Sequence, residues 1–295
     1  MNTRPHFIII GAMKCATSSL HEQLATHPGI FMTQLKEPNF FSDDDQYAKG
    51  MAWYESHFAD ASPMDLCGES STHYTKLPTY PHTIQRLQEH VPSAKFIYVM
   101  RHPIDRLVSH YIHEWTQCVI STDIHQALEQ HPELISYSQY SQQLKPYLDA
   151  FGFDRVLPIF FERLCQCPQQ ELERVCRFIG YPEAPTWKED LGTQNVSSER
   201  LRKNALRDFF VEAPILSDIR RNLIPQSWRD WIKGWWMMKK RPELSPAEVE
   251  KLRAVFDEDL KILGSWLGLE QLSCDNFKST VKEAPSDWIK VSGIR

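Results

Sequence analysis

No run of apolar residues in this chain approaches the roughly 20 that a helix needs to cross a bilayer, which excludes a membrane-spanning helix as a reading of the sequence. Basic charge is not in excess either: 33 Lys and Arg stand against 38 Asp and Glu, a formal net charge of −5. Nothing global therefore argues for nucleic acid or an anionic membrane as partner, and any anion site must be a local concentration of basic groups. The seven cysteines are scattered, and the closest two, Cys165 and Cys167, have neither C-x-x-C spacing nor a histidine nearby. That argues against a zinc or disulfide framework and predicts free thiols in a reducing compartment. The N-terminal MNTRPHF is too short and too polar before its strand for a secretory signal, so the expectation is a cytoplasmic chain. There are no internal repeats, low-complexity tracts or separating linkers. One domain over 1–295 is expected, with a sheet core to 180, a covering segment over 181–242, and a C-terminal helix and tail over 243–295.

What is present is an alternation of short apolar runs and helical patterns. Phe7–Ile10, Ile30–Met32, Lys95–Met100 and Val156–Phe160 read as strands. Ser18–His27, Tyr80–His90, Ile104–Trp115 and Pro168–Gly180 carry apolar residues at helical spacing, the last ending at a glycine suited to a C-cap. Ser245, Pro246 and Glu248 form an N-terminal capping signature for a further helix. The alternation predicts an α/β fold, a central parallel sheet flanked by helices, P-loop-like at its first strand, with a helical C-terminal region.

One further absence is specific. FIIIGAMKCATSSL has the strand-loop-helix layout of a phosphate cradle but not the G-x-x-x-x-G-K-[ST] spelling of a nucleotide hydrolase. Backbone N–H groups and the positive helix end favour an anion there. Lys14 can add a point charge, and Thr17, Ser18 and Ser19 add hydroxyls. A plain strand-loop-helix turn with a solvated lysine is the alternative. In KFIYVMRHPIDRLVSH, a buried strand ends at Arg101, Pro103 opens a helix, and Ser109 follows two turns on. Ligands of doubly wound sheets sit at the carboxyl ends of the strands. Arg101 should therefore emerge on the same edge as Lys14, where an arginine fork and a serine hydroxyl can clamp a second phosphate. A helix-start salt bridge is the other use of Arg101.

These two motifs, about ninety residues apart, resemble those of sulfotransferases that use 3′-phosphoadenosine 5′-phosphosulfate (PAPS), in particular the heparan-sulfate-type and bacterial carbohydrate sulfotransferases. The resemblance continues in KEPNFF, GESSTHY, FFERL and LKILGSWLG, nearly the whole chain. It implies that Lys14, Cys15, Ala16, Thr17, Ser18 and Ser19 hold the 5′-phosphosulfate and that Arg101 and Ser109 hold the 3′-phosphate. It places Arg202 or Lys203, in a basic loop, over the 3′-phosphate. It implies no metal. The family's glutamate base corresponds to Glu37, and Lys14 would also stabilise charge on the bridging oxygen in a direct in-line transfer. Beside Glu37, Phe40 and Phe41 are expected to raise its pKa. A Glu37–Lys36 surface pair is the alternative. Ala16 stands where glycine is common and can serve if its φ is negative. Ser70 stands where some relatives have a catalytic lysine. His73 or Lys76 could substitute, but the expectation for both is a solvated or acceptor-side residue. His102, His110 and His113 read as helix-surface residues. Trp228, Trp231, Trp235 and Trp236, with Lys239, Lys240 and Arg241, suit a packed cover, a sugar platform or peripheral membrane contact over 228–241. The resemblance implies as acceptor a hydroxyl or amine of a saccharide, lipid or natural product, and the sequence does not choose among them. A P-loop small-molecule kinase, which needs magnesium, and a non-catalytic nucleotide-binding module are the competing readings.

Overall fold

Apolar, β-branched and aromatic runs form the centre of the molecule because only a sheet covered on both faces can bury them completely. In the computed structural model, which describes residues 4–191, 238 and 240–289, the strands are β1 (Phe7–Gly11), β2 (Ile30–Met32), β3 (Leu66–Ser70), β4 (Lys95–Met100) and β5 (Val156–Phe160). All pair in parallel, in the order β2-β3-β1-β4-β5. β1 is fully buried and lies in the middle, where the chain departs to one side and later returns on the other. That is the switch point at which an open α/β sheet opens a crevice for ligands.

Four of the five strands are legible as apolar runs. β3, LCGES, is not: its second half is Gly68, Glu69 and Ser70, all buried. Gly68 is required by close packing, since a Cβ there would stand 2.3 Å from the Phe7 ring. The Thr17–Ala25, Thr83–His90, Pro103–Thr116 and Pro168–Ile179 helices match the expected helical stretches to within a few residues, and Gly180 caps the last in the left-handed region (φ +89°). The Pro246–Leu267 helix carries the expected capping box, Ser245 with Glu248.

The Tyr140–Phe151 helix, absent from the sequence reading, packs Tyr140, Leu144 and Tyr147 into the core. It is tied to the C-terminal helix by Asp259, whose buried carboxylate accepts from the Ser141 N–H at 3.1 Å. Residues 186–188 are stitched to the Thr17–Ala25 helix and the turn after it: the Gln23 amide donates to the Lys188 carbonyl (2.7 Å) and accepts from its N–H (2.9 Å), and the Thr186 N–H donates to His27 Nε2 (3.0 Å). Arg202, Lys203 and the four tryptophans of 228–236 lie outside the described residues. All seven cysteines are free. Among the described residues no helix is long and apolar enough to cross a membrane, and no three His, Cys, Asp or Glu side chains could hold a metal ion together.

Candidate active site

Leaving β1, the chain turns sharply. Ala12 N–H donates to the Val99 carbonyl of β4 (2.8 Å), so the loop opens against the neighbouring strand. A side chain at Gly11 would collide with Thr75 Oγ1, which instead donates to the Ile10 carbonyl at 2.7 Å. Lys14 (φ +71°) and Ala16 (φ +64°) both occupy the left-handed region. The condition set for Ala16, a negative φ, is therefore not met. The loop must curl tightly enough to start the Thr17–Ala25 helix, and Ala16, its N-cap, accepts the strain that glycine would avoid, about 1 kcal/mol or more. Left-handed turns of this kind draw backbone N–H groups into an anion-binding concavity. The first-turn N–H groups of the helix, which have no intrahelical acceptor, follow directly.

The loop's side chains separate by role. Cys15 is turned fully into the core, where burial pushes its thiol up to about 12, and its N–H donates to the Ala12 carbonyl (3.2 Å). Thr17 is buried, while Lys14, Ala16, Ser18 and Ser19 are half-buried on the loop and first turn.

Arg101 leaves the end of β4 beside this loop. Its Nη1 donates to the Lys14 carbonyl at 3.4 Å and its guanidinium lies 4.6 Å over the Phe161 ring. Among the described residues these contacts, not a helix-start salt bridge, hold it at the sheet edge. Tyr140 fixes the backbone there, its hydroxyl donating to the Arg101 carbonyl at 2.6 Å. Ser109 is half-buried on the Pro103–Thr116 helix. Arg106, of the same motif, is wholly buried and structural: Nε donates to Ser138 Oγ (2.5 Å) and Nη2 to the Leu134 carbonyl (2.9 Å). The expected surface histidines are not all on the surface. His110 is 2% exposed beside Glu114 (3.2 Å), and His102 is half-buried, its ring bonded to the Cys274 carbonyl (3.0 Å).

Glu37 lies in the loop after β2 and is held against the end of β3, its N–H donating to the Ser70 carbonyl at 2.9 Å. It also has a left-handed backbone (φ +62°), as does Asn39 (φ +52°). Its carboxylate accepts from Lys36 Nζ at 3.1 Å and from Thr72 Oγ1 at 2.9 Å. The pair with Lys36 does form, half-exposed. Burial alone would raise the Glu37 pKa, but the Lys36 ammonium and the Thr72 hydroxyl outweigh it and hold the carboxyl below its ordinary value. This corrects the expected rise. Phe40 and Phe41 pack in an aromatic cluster on Tyr54, with ring centroids at 4.8 and 4.9 Å, and form part of the core.

The Thr72–Thr75 turn supplies two hydroxyls that sequence reasoning missed, those of Thr72 and Thr75. Besides Thr72 and Thr75, it carries His73, stacked on Tyr80 at 4.9 Å with burial pushing its pKa to about 4. Lys76 follows, 9% exposed, its pKa lowered by burial against the opposing pull of Glu37 and Glu114. Neither is a solvated side chain. His21, on the first helix, bonds through Nδ1 to Ser70 Oγ at 2.8 Å, joining that helix to the strand that holds Glu37. The available signal was the density of hydroxyl and ionisable residues in GESSTHYTK.

The sulfotransferase domain matches residues 4–264 of the chain. The chain belongs to the sulfotransferase family. Among its relatives, heparan sulfate glucosamine 3-O-sulfotransferase 5 of Mus musculus is 25% identical over 265 residues, 85% of this chain and 69% of the relative. Heparan sulfate glucosamine 3-O-sulfotransferase 3B1 of Mus musculus is 30% identical over 201 residues, 60% of this chain and 46% of that one. The crystal structure of a sulfotransferase from Alicyclobacillus acidocaldarius shares the fold of this sulfotransferase, with TM-score 0.63 and 24% identity over 89% of this chain and 95% of that chain.

Proposed function

We propose that this sulfotransferase moves a sulfuryl group from PAPS to a hydroxyl or amine of a saccharide or other small acceptor, with Glu37 as general base. The observation that carries the reading is the junction of the two anion-binding stretches on one sheet edge, Arg101 Nη1 against the Lys14 carbonyl at 3.4 Å. The residues fit the donor. The left-handed turns at Lys14 and Ala16 and the open first turn of the Thr17–Ala25 helix suit the 5′-phosphosulfate. Lys14 supplies charge, Thr17, Ser18 and Ser19 hydroxyls, and the Cys15–Ala16 segment backbone. The Arg101 guanidinium and the Ser109 hydroxyl suit the 3′-phosphate. PAPS supplies the activated sulfuryl group.

Glu37 is ionised at neutral pH, because Lys36 and Thr72 keep its carboxyl low. It can therefore take the acceptor's proton as the acceptor oxygen bonds to sulfur and the S–O bond to the phosphate breaks. The electron pair leaves on adenosine 3′,5′-bisphosphate, where Lys14 offsets the developing charge. No side chain needs to form a covalent intermediate.

Calorimetry separates this reading from a kinase. Adenosine 3′,5′-bisphosphate is expected to bind without magnesium, and ATP with magnesium is expected not to bind; the reverse pattern would remove PAPS from the reading. Glu37→Gln is expected to lower transfer from radiolabelled PAPS by roughly 10²–10⁴-fold while leaving adenosine 3′,5′-bisphosphate binding intact. Wild-type turnover in that variant would dismiss Glu37 as the base.

A further inference from the structure

Glu69 is the most completely buried carboxylate near the site, and no role in the transfer has been given to it. It is 0% exposed, on β3 one residue before Ser70. Among the described residues its partners are three hydroxyls and no cation: Tyr54 (2.8 Å) and Tyr74 (3.0 Å) donate to Oε1, and Ser71 (2.8 Å) donates to Oε2. A buried ion without a counterion is costly. A core that needed only packing would hold a Gln or an apolar residue here.

The three hydroxyls continue outward. Ser71 Oγ accepts from the Asn39 N–H at 3.1 Å, and Tyr74 Oη accepts from the Phe41 N–H at 3.3 Å. Tyr54 stacks on Phe40 at 4.8 Å. Every residue from Asn39 to Phe41 is thus held by a group that is itself held by Glu69. That segment immediately follows Glu37 and Pro38 in a loop whose left-handed residues Glu37 and Asn39 would relax if released.

We propose that Glu69 is a positioning residue for Glu37: its carboxylate orients the Ser71 and Tyr74 hydroxyls so that both can accept the loop's N–H groups. This rests on the assignment of Glu37 as the base. The direction of the hydroxyls is decisive. An ionised Glu69 only accepts, so each hydroxyl proton points at it and each hydroxyl lone pair faces the loop. A protonated Glu69, or an amide in its place, donates to one of those oxygens. That hydroxyl proton then loses its acceptor and competes with the loop N–H for the same space.

Burial also pushes the Glu69 carboxyl up to about 7. The titratable groups facing it are Tyr54, Tyr74 and Tyr147 from the packed helices and turn, and Glu37 from the loop. Among the described residues none is a cation, so only the three hydroxyl hydrogen bonds favour the ionised form, and burial outweighs them. Loop order should accordingly fall as pH drops through about 7.

Glu69→Gln keeps the volume and removes the charge. Its kcat is expected to fall about tenfold or more with the KM for PAPS within about twofold. The acid limb of the wild-type kcat profile near 7 is expected to vanish. Unchanged kcat and an unchanged limb would overturn the proposal. So would equal loss of kcat and of adenosine 3′,5′-bisphosphate affinity, which marks general damage. If that variant does not fold, Ser71→Ala decides. It removes the Ser71 hydroxyl, and with it one bond to Glu69 and the relay to Asn39, and the same split in kcat and KM supports the proposal, whereas wild-type kinetics overturn it. Glu37→Gln run alongside distinguishes the two failures. If it alone loses turnover, the base stands and the positioning role falls; if it keeps turnover, the base assignment falls first.

Discussion

Ala16 is the residue where local preference and required geometry conflict most openly. A Cβ in the left-handed region crowds the following carbonyl, and the helix start tolerates this because β1, Gly11 and the Arg101 contact leave the loop no wider path. Ala16→Gly is expected to stabilise the fold by about 0.5–1 kcal/mol net of the extra freedom glycine gives the unfolded chain. A thermal melt checks it, with a lower midpoint counting against the strain. Glu37 shows the same economy from the electrostatic side. Burial argues for a protonated acid, but one adjacent lysine and one threonine from a distant turn leave it a carboxylate.

The decisive element is β3. It contributes little apolar surface of its own, yet its carboxyl end anchors Glu37 through the Ser70 carbonyl, Asn39 through Ser71, and the first helix through Ser70 Oγ. Its place between β1 and β2 depends on a bare backbone at Gly68. Gly68→Ala would put a methyl 2.3 Å from Phe7 Cζ and 2.8 Å from Met32 Sδ. Overpacking of this kind costs about 1–3 kcal/mol, and the expected result is a lower urea midpoint with the m-value unchanged. A midpoint equal to wild type would show that Phe7 and Met32 move aside.

Across the whole molecule, the anion-binding groups are local to the edge of an otherwise acidic chain, whose net charge is −5. Stability should respond to acid through the histidines. His21, His73 and His110 are buried neutral, with pKa values pushed down to about 4, 4 and 3. Below about 6.5 the unfolded chain binds these three protons and the native state does not, so stability falls as pH falls from there toward 4. Glu69, Glu162 and Asp259, raised by burial, act in the opposite sense, while Glu37, Asp105 and Glu114, held low, reinforce the loss. The melting temperature is expected to drop between pH 6.5 and 4. A flat profile would mean that these imidazoles reach solvent.

The β1 loop, the Arg101–Ser109 stretch, four strands and five helices were legible because each is written in adjacent residues: an apolar run, a cap, a period. Those signals are local, and they carried the α/β class and the family resemblance. Three matters were decided by tertiary structure alone. The backbone at Ala16 follows from β4 crowding the loop, not from alanine's own preference. The pKa of Glu37 follows from Thr72, thirty-five positions on, joining Lys36 beside it, while the phenylalanines next to it in sequence pack into the core. The carboxylate of Glu69 meets Tyr54, fifteen positions back, and turns toward the Ser71 and Tyr74 hydroxyls of the following turn only when β3 slots between β1 and β2. Dihedral strain, desolvation and hydroxyl direction are set by what packs against a residue, and its neighbours along the chain do not contain that information.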